Sequence, residues 1–475
     1  MFFKIKSNIL YRDYKNYGYI TDNSLFGYHF LNDYGKKIGE KYVSESGAVF
    51  LSILTKEPQD INEIIGKLSS VFVGVTVDDL KKDAIDFYNQ FVQLGFLSFG
   101  ETKEECNIDK EIIEKEDVHS EINCDSCSSN VLKQENILRG IHIEVVNICN
   151  ERCVHCYIPH KLKTKEIDLK LFYKIVEEGR KLNILNVTLS GGEPLAHKDI
   201  CKFLKKCREL DLSVNILSNL TLLNDEILSE IKKNPLISVQ VSLYSINPLI
   251  HDSITNLVGS CEKTKMAIKK LISCGIPVQI ACPIMKQNKN AYKDVLNWGR
   301  ENNISVVLDY MIFAEYDHSG INIKNRLSCE EISNILDEQF TANKVYLMDI
   351  KEKADANKKL TLKSCVCSIC KYYLCVSAEG NVFPCAGWQN YILGNLRNSS
   401  ISEIWEKSEK VKYLREIKRE QFTKCMNCDD KDFCTICMMK NFNEDKDENI
   451  FNPNKANCNL SSIMHQKVVQ YTEVK

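Results

Sequence analysis

Asn147-Ile148-Cys149-Asn150-Glu151-Arg152-Cys153-Val154-His155-Cys156-Tyr157 is the stretch on which the reading of this chain turns. Cys149, Cys153 and Cys156 form a C-x3-C-x2-C triplet on what reads as one short loop. Three thiolates on one loop suit three irons of a cubane iron–sulfur cluster and leave the fourth iron open to another ligand. Structural zinc more often takes two C-x2-C pairs, so the spacing leans away from it.

The rest of the composition agrees with cysteines spent on metal. The chain has 475 residues, room for about three domains, and 22 cysteines, far above ordinary usage. Disulfide scaffolds are typically short and secreted, whereas this chain is long and rich in Lys and Glu. Its N-terminus, Met-Phe-Phe-Lys-Ile-Lys-Ser, lacks the apolar run of a signal peptide, and the sequence contains no long apolar stretch suited to a membrane span. A reducing, cytoplasmic setting is expected. Lys plus Arg number 62 against 64 Asp plus Glu, a net charge of −2 that argues neither for nucleic acid nor for a membrane surface.

Outward from the triplet, apolar strand-like runs alternate with amphipathic helical stretches. The strand candidates are Ile141–Val146, Asn186–Leu189, Ser213–Leu217, Ile237–Leu243, Val278–Ile284 and Val306–Ile312. Leu169–Leu182 is a representative helix, with Leu169, Phe172, Ile175, Val176 and Leu182 expected inward. Such alternation predicts an α/β fold of parallel strands joined by right-handed crossovers. The cysteine loop follows the first strand, and Ser190-Gly191-Gly192-Glu193-Pro194 follows the second. Both motifs therefore fall at C-terminal strand ends, where parallel α/β barrels do their chemistry.

The triplet together with Gly191-Gly192-Glu193 resembles the signature of the radical S-adenosylmethionine (SAM) superfamily. The resemblance implies a partial (β/α)6 barrel over residues 137–345, a 4Fe–4S cluster on the three cysteines, and SAM on the open iron. His155 stands where that family usually has an aromatic residue lining the adenine pocket; a loop histidine is otherwise simply solvated. Gly191 and Gly192 are expected to let the backbone approach the ligand, and Glu193 to accept from the SAM ammonium. Ser218 and Asn219 match positions against the SAM ribose, and Ser242 one near its carboxylate, although polar residues at strand ends are often only turn formers.

Residues 346–475 hold a second cysteine array. Cys370 is followed by Cys375 and by a Gly380-x4-Cys385 unit, then by Cys425-x2-Cys428-x5-Cys434-x2-Cys437 and Cys458. This resembles the SPASM domain with its two auxiliary 4Fe–4S clusters, one departure being x2 rather than x3 before Cys437. The resemblance assigns Cys370, Cys375, Cys385 and Cys437 to one cluster and Cys425, Cys428, Cys434 and Cys458 to the other. A zinc ribbon also uses paired C-x2-C units, but it leaves the Gly-x4-Cys unit and Cys458 unexplained. Cys365 and Cys367 are surplus: buried thiols, alternative ligands, or contacts to substrate cysteines. Cys201, Cys207, Cys261 and Cys274 fall in helical stretches and read as small packed residues.

Residues 1–100 read as a small α+β unit. Strand-like runs at Lys4–Arg12, Gly18–Thr21 and Gly27–Leu31 precede helices near Ser46–Leu54, at Asp60–Val71, and one begun by the N-cap Thr76 that buries Leu80, Ala84, Phe87, Phe91 and Leu94. The unit resembles the winged-helix recognition element of ribosomal peptide maturases, which captures a leader peptide as an added strand; a plain N-terminal brace is the other reading. It is expected to be dispensable for SAM cleavage. Residues 101–136 are charged and aperiodic, a linker, and Cys124 and Cys127 in it form an isolated pair that completes no four-ligand site.

Together these resemblances imply a maturase of a ribosomally made, cysteine-rich precursor peptide, with an electron donor of the flavodoxin or ferredoxin type and no nucleic-acid or membrane partner. Thioether formation is the expected reaction. Carbon–carbon crosslinking, formylglycine generation in a sulfatase, and a non-catalytic electron carrier or peptide scaffold are its rivals. Anaerobically reconstituted protein should carry about twelve irons, and the Cys149/Cys153/Cys156→Ala triple variant about four fewer. A wild-type content of about four irons, or stoichiometric zinc, contradicts the two C-terminal clusters.

Overall fold

In the computed structural model, which describes residues 1–14, 16–33, 38–109 and 136–473, the six predicted central strands are all present. With six N-terminal strands preceding them, they are β7 (Gly140–Val146), β8 (Asn186–Gly191), β9 (Ser213–Ser218), β10 (Ile237–Ser242), β11 (Val278–Pro283) and β12 (Ser305–Asp309). Each pairs in parallel with the next, giving the partial (β/α)6 barrel. Ile141, Ile143 and Val145 of β7 join the core under the outer helices. Helix Leu169–Lys181 shows why the amphipathic pattern was legible: Phe172, Ile175 and Val176 are fully buried, and Asp168 caps the N-terminus by accepting from the Leu171 N–H. Cys207 and Cys261 are buried, while Cys201 and Cys274 are half-buried against the same core, as ordinary small residues.

The barrel sheet does not end at β7. β13 (Tyr373–Val376) pairs with β7 in parallel, and β14 (Asn381–Phe383) and β15 (Gly394–Asn395) follow antiparallel, making nine strands in all. The C-terminal cysteine region is therefore a continuation of the barrel sheet, which no local pattern announced. Among the described residues no helix is long and apolar enough to cross a membrane.

The N-terminal unit departs from its sequence reading in several places. Lys4–Arg12 is not one strand: β1 (Phe2–Ile5) lies between β5 (Gln59–Asp60) and β6 (Leu97–Gly100), whereas β2 (Leu10–Asp13) pairs with β3 (Gly18–Thr21), which pairs with β4 (Glu40–Val43). The chain turns between them, at Lys6–Ile9, where the Ile9 N–H donates to the Lys6 carbonyl. Gly27–Leu31 forms no strand; only a bridge from Phe30 to Ile304 is present, because this segment runs across the barrel instead of along a sheet. The helices are α1 (Glu45–Ile53), α2 (Ile61–Ser69) and α3 (Val77–Gln93), capped by Ser44, Asp60 and Thr76. In α1 Phe50 and Leu51 are buried and Ile53 is half-covered, and in α3 Tyr88 is buried where Phe87 and Leu94 are only half-covered. The start of the charged segment is ordered structure: Lys103–Asn107 is a short helix with a Thr102/Glu105 capping box and a buried Cys106. Cys124 and Cys127 lie outside the described residues.

Nor is this unit a loosely tethered module. The Arg12 side chain is 1 % exposed and donates from Nε to the Ile184 carbonyl (2.9 Å) and from Nη2 to the Asp211 carbonyl (2.6 Å), with the Asp211 carboxylate 3.3 Å from Nη1. Burial lowers its pKa to about 10, so it stays charged at neutral pH. Residues 23–32 cross the N-terminal ends of the barrel strands. Asn215 donates to the Phe26 carbonyl, Tyr28 N–H to Ser238 Oγ, Leu31 N–H to the Asn303 carbonyl, and Asn23 pairs with Ser213. Removing residues 1–100 would leave these buried groups without partners, so the unit contributes to the stability of the barrel. Arg12→Ala should cost about 3 kcal/mol, since it strands the Ile184 and Asp211 carbonyls at a buried junction, while Lys56 still pairs with the Asp211 carboxylate. A thermal midpoint equal to that of wild type would show that the junction contributes nothing.

Candidate functional site

At the C-terminal strand ends the cysteine loop closes over a cavity of about 360 Å³. Cys149, Cys153 and Cys156 line it together with His155, Gly191 and Gly192. The geometry rests on how closely β8 meets the loop. The Gly192 N–H donates to the Val146 carbonyl (2.7 Å) and the Glu193 N–H to the Ile148 carbonyl (3.0 Å). A Cβ on Gly191, whose φ is +130°, would lie 1.8 Å from Val146 O, and one on Gly192 2.3 Å from Ile148 O. The glycines are required by the cysteine loop itself, a reason the sequence reading, which credited ligand approach, had not given.

Glu193 is fully buried behind the cavity wall. Its Oε1 accepts from the Leu195 N–H (2.9 Å) and Ser218 Oγ (2.7 Å), and its Oε2 from the Asn219 N–H (2.8 Å). Burial pushes its pKa up to about 7 against the pull of these donors. The carboxylate thus ties the end of β8 to the end of β9, and Ser218 is committed to it. Ser218, Asn219 and Ser242 all line the cavity. Asn219 Nδ2 donates to Asn150 Oδ1 (3.1 Å) and lies 4.0 Å from Cys149 Sγ.

His155 is not a solvated loop residue. Its ring packs edge-on against Tyr244 (centroids 4.9 Å apart), its buried Nδ1 has no partner, and burial lowers its pKa to about 4. Three residues escaped the sequence reading. Glu151, 2 % exposed, accepts from Cys153 Sγ and has one buried oxygen, Oε1, without a partner. Lys163 Nζ lies 3.4 Å from Cys156 Sγ. Tyr244, just beyond the strand candidate Ile237–Leu243, packs against His155. No spacing rule points to them; Glu151 alone was accessible, as an acidic residue inside the triplet. Burial pushes the Cys149 thiol up to about 11. Thiols so buried ionise only with a compensating cation, and two unpartnered polar atoms face the same space, so the donor set fits an iron–sulfur cluster with an organic ligand beside it.

The C-terminal cysteines fall into two neighbourhoods. Burial first, then Cys437, Cys367 and Cys370, pushes the Cys385 thiol up; burial, then Cys385, does the same to Cys375. Burial, then Cys434, Cys458 and Cys428, pushes Cys425 up to about 11. Cys437, Cys367, Cys370 and Cys375 thus lie near Cys385, and Cys434, Cys458 and Cys428 near Cys425. Cys365 stands apart: Lys371 and Lys418 donate to its sulfur (2.9 and 3.2 Å) and lower its pKa despite burial. Among the described residues no three His, Cys, Asp or Glu side chains converge on a single-ion site.

Comparison with known proteins agrees with this architecture. Residues 143–299 match the radical SAM superfamily and residues 367–429 an iron–sulfur cluster-binding domain, SPASM. The chain carries both domains. Among curated proteins it is 25% identical over 332 residues to an AdoMet-dependent heme synthase of Methanosarcina barkeri, covering 65% of this chain and 93% of that protein. It is 26% identical over 323 residues to the subtilosin biosynthesis protein AlbA of Bacillus subtilis (64% and 68%), and 25% identical over 284 residues to a PqqA peptide cyclase of Bradyrhizobium diazoefficiens (57% and 73%). Among solved structures, Streptococcus suis SuiB bound to its precursor peptide SuiA superposes with a TM-score of 0.60 at 16% identity, over 96% of this chain and all of that one. The fold is shared along nearly the whole chain.

Gly191→Ala should therefore displace the cysteine loop and cost about four irons, with the C-terminal clusters kept. Full iron content in that variant would show that the backbone contact does not hold the loop.

Proposed function

We propose that this chain is a radical SAM enzyme that modifies a ribosomally made precursor peptide, joining cysteine sulfur to carbon as a thioether. The observation that carries the reading is the pairing of a three-cysteine loop on a barrel with two further groups of thiols, one of them beside β13 and β14 on the same sheet and the other on the helices and loops that follow. One centre for radical generation then stands beside centres able to take up an electron. The similarity to AlbA, a protein of bacteriocin biosynthesis, and to PqqA peptide cyclases supports a peptide substrate. So does the shared fold with SuiB in its complex with SuiA.

In this reading Cys149, Cys153 and Cys156 hold the cluster that binds SAM, and residues 1–100, 137–345 and 346–475 are the peptide-binding, barrel and auxiliary-cluster units. Cys370, Cys375, Cys385 and Cys437 hold one auxiliary cluster and Cys425, Cys428, Cys434 and Cys458 the other, three in all. When bound, SAM and its cluster supply a 5′-deoxyadenosyl radical. The chain's own residues orient and enclose: His155 and Tyr244 wall the cavity, Lys163 offers a cation and Glu151 an acceptor, and Ser242 and Asn219 add polar contacts. Leader capture falls to β4, whose outer edge pairs with no strand among the described residues, while β2 on the other side is fastened to the barrel through Arg12. The reaction needs a low-potential electron donor and proceeds in the cytoplasm.

A thioether removes two hydrogens and one thiol per link. Product mass should fall by about 2 Da per crosslink, and iodoacetamide after reduction should find one thiol fewer, reduction excluding a disulfide that only mimics the mass loss. The same mass loss with every cysteine still alkylated would replace the thioether with a carbon–carbon link.

A further inference from the structure

Barrel lumens are ordinarily filled by branched aliphatic side chains. Here the inner face is polar. His142 pairs with Ser190, Gln240 donates to Gln279 (2.7 Å), and Glu144, two residues along β7 from His142, faces the same way. Glu144 is 1 % exposed, and both of its oxygens accept from a single donor, Gln389 Nε2, at 2.6 and 2.7 Å. Gln389 is no barrel residue: it sits four residues after Cys385, on the turn that carries Ala386 into the cavity wall. The carboxyl group therefore lies between the loop of Cys149–Cys156 and the group of thiols around Cys385.

Among the described residues no cation neutralises it. The titratable groups that act on the same space are Tyr157 on the cysteine loop, Tyr316 after β12, and Cys375 on β13, besides His142 on its own strand. Desolvation accordingly pushes Glu144 up to about 8, into the range of a cysteine thiol. A buried carboxyl with one amide partner is costly to keep unless it is used, and a proton acceptor works best when its pKa lies near that of its donor.

We propose that Glu144 takes the proton from the substrate group that becomes bonded to carbon, which in the thioether reading, on which this rests, is the cysteine thiol. The balance is complete. The carbon–hydrogen bond breaks with its hydrogen atom going to the 5′-deoxyadenosyl carbon. The sulfur–hydrogen bond breaks with its proton going to the Glu144 carboxylate, and the sulfur–carbon bond forms. The one surplus electron goes to an oxidant of the iron–sulfur class. Reaching Glu144 requires the side chain of Gln389, three residues after the cavity-lining Ala386, to turn away from the carboxyl group.

The test compares wild type, Glu144→Gln and Glu144→Asp with a precursor peptide deuterated at the bonding carbon. Iron content and melting midpoint are read beside the products. Wild type should yield about one 5′-deoxyadenosine per crosslink. Glu144→Gln, with iron and melting unchanged, should keep 5′-deoxyadenosine formation and deuterium transfer within about twofold but lose crosslinks about 100-fold or more. Glu144→Asp should recover part of them. Crosslinking by Glu144→Gln at the wild-type rate would overturn the proposal. Loss of iron or a lowered melting midpoint in that variant would make Glu144 a strut between barrel and C-terminal region, and would overturn it equally. A wild-type product of unchanged mass would instead overturn the reading of a dehydrogenative crosslink, independently of Glu144.

Discussion

A close approach of two backbone segments organises the site. Where β8 ends, two successive amides, those of Gly192 and Glu193, donate to carbonyls of the chain that leads into the cysteine loop, and no Cβ fits between them. Glu193 then reaches across to β9 through Ser218 and the Asn219 amide. Three neighbouring strand ends are thereby locked, and backbone and side-chain hydrogen bonds together hold the cysteine loop.

The same strand that feeds the loop also joins the halves of the molecule. On one side β7 pairs with β8 and on the other with β13, so that Cys375 stands in register with His142. A single sheet therefore sets the spacing between the loop of Cys149–Cys156 and the thiols around Cys385. Distances between the redox centres proposed for them are a property of strand register, which is far stiffer than a domain contact. The N-terminal unit closes the opposite end. Its residues 23–32 occupy the polar N-terminal ends of the strands, and Arg12 pins β2 there, leaving β4 as the side of that sheet turned to other partners.

A polar lumen follows from this division of labour. The hydrophobic core lies outside the sheet, under the helices, so the inner face is free to hold His142, Glu144, Gln240 and Gln279 without loss of the fold. A lumen of this kind suits a peptide backbone, which must have its amides and carbonyls satisfied wherever it is buried.

Much of this was readable from the chain alone, and for physical reasons. Strand and helix periods, 2 and 3.6 residues, depend on which faces are buried, so all six barrel strands and the helix at Leu169 could be placed from hydrophobic spacing. Metal-ligand spacing is likewise local, which is why the cysteine triplet stood out, whereas the allotment of the C-terminal cysteines rests on the resemblance to the SPASM domain, because Cys437 interleaves with the other set. What lay beyond reach was non-local. The break of Lys4–Arg12 into strands of two sheets, and the loss of a strand at Gly27–Leu31, follow from contacts with barrel residues some two to three hundred positions away. The pairing of β13 with β7, the true partners of Gly191, Gly192 and Glu193, and the meeting of Glu144 with Gln389 are of the same kind. Short-range patterns tell a residue whether it is buried; only the closed sheet decides what it is buried against.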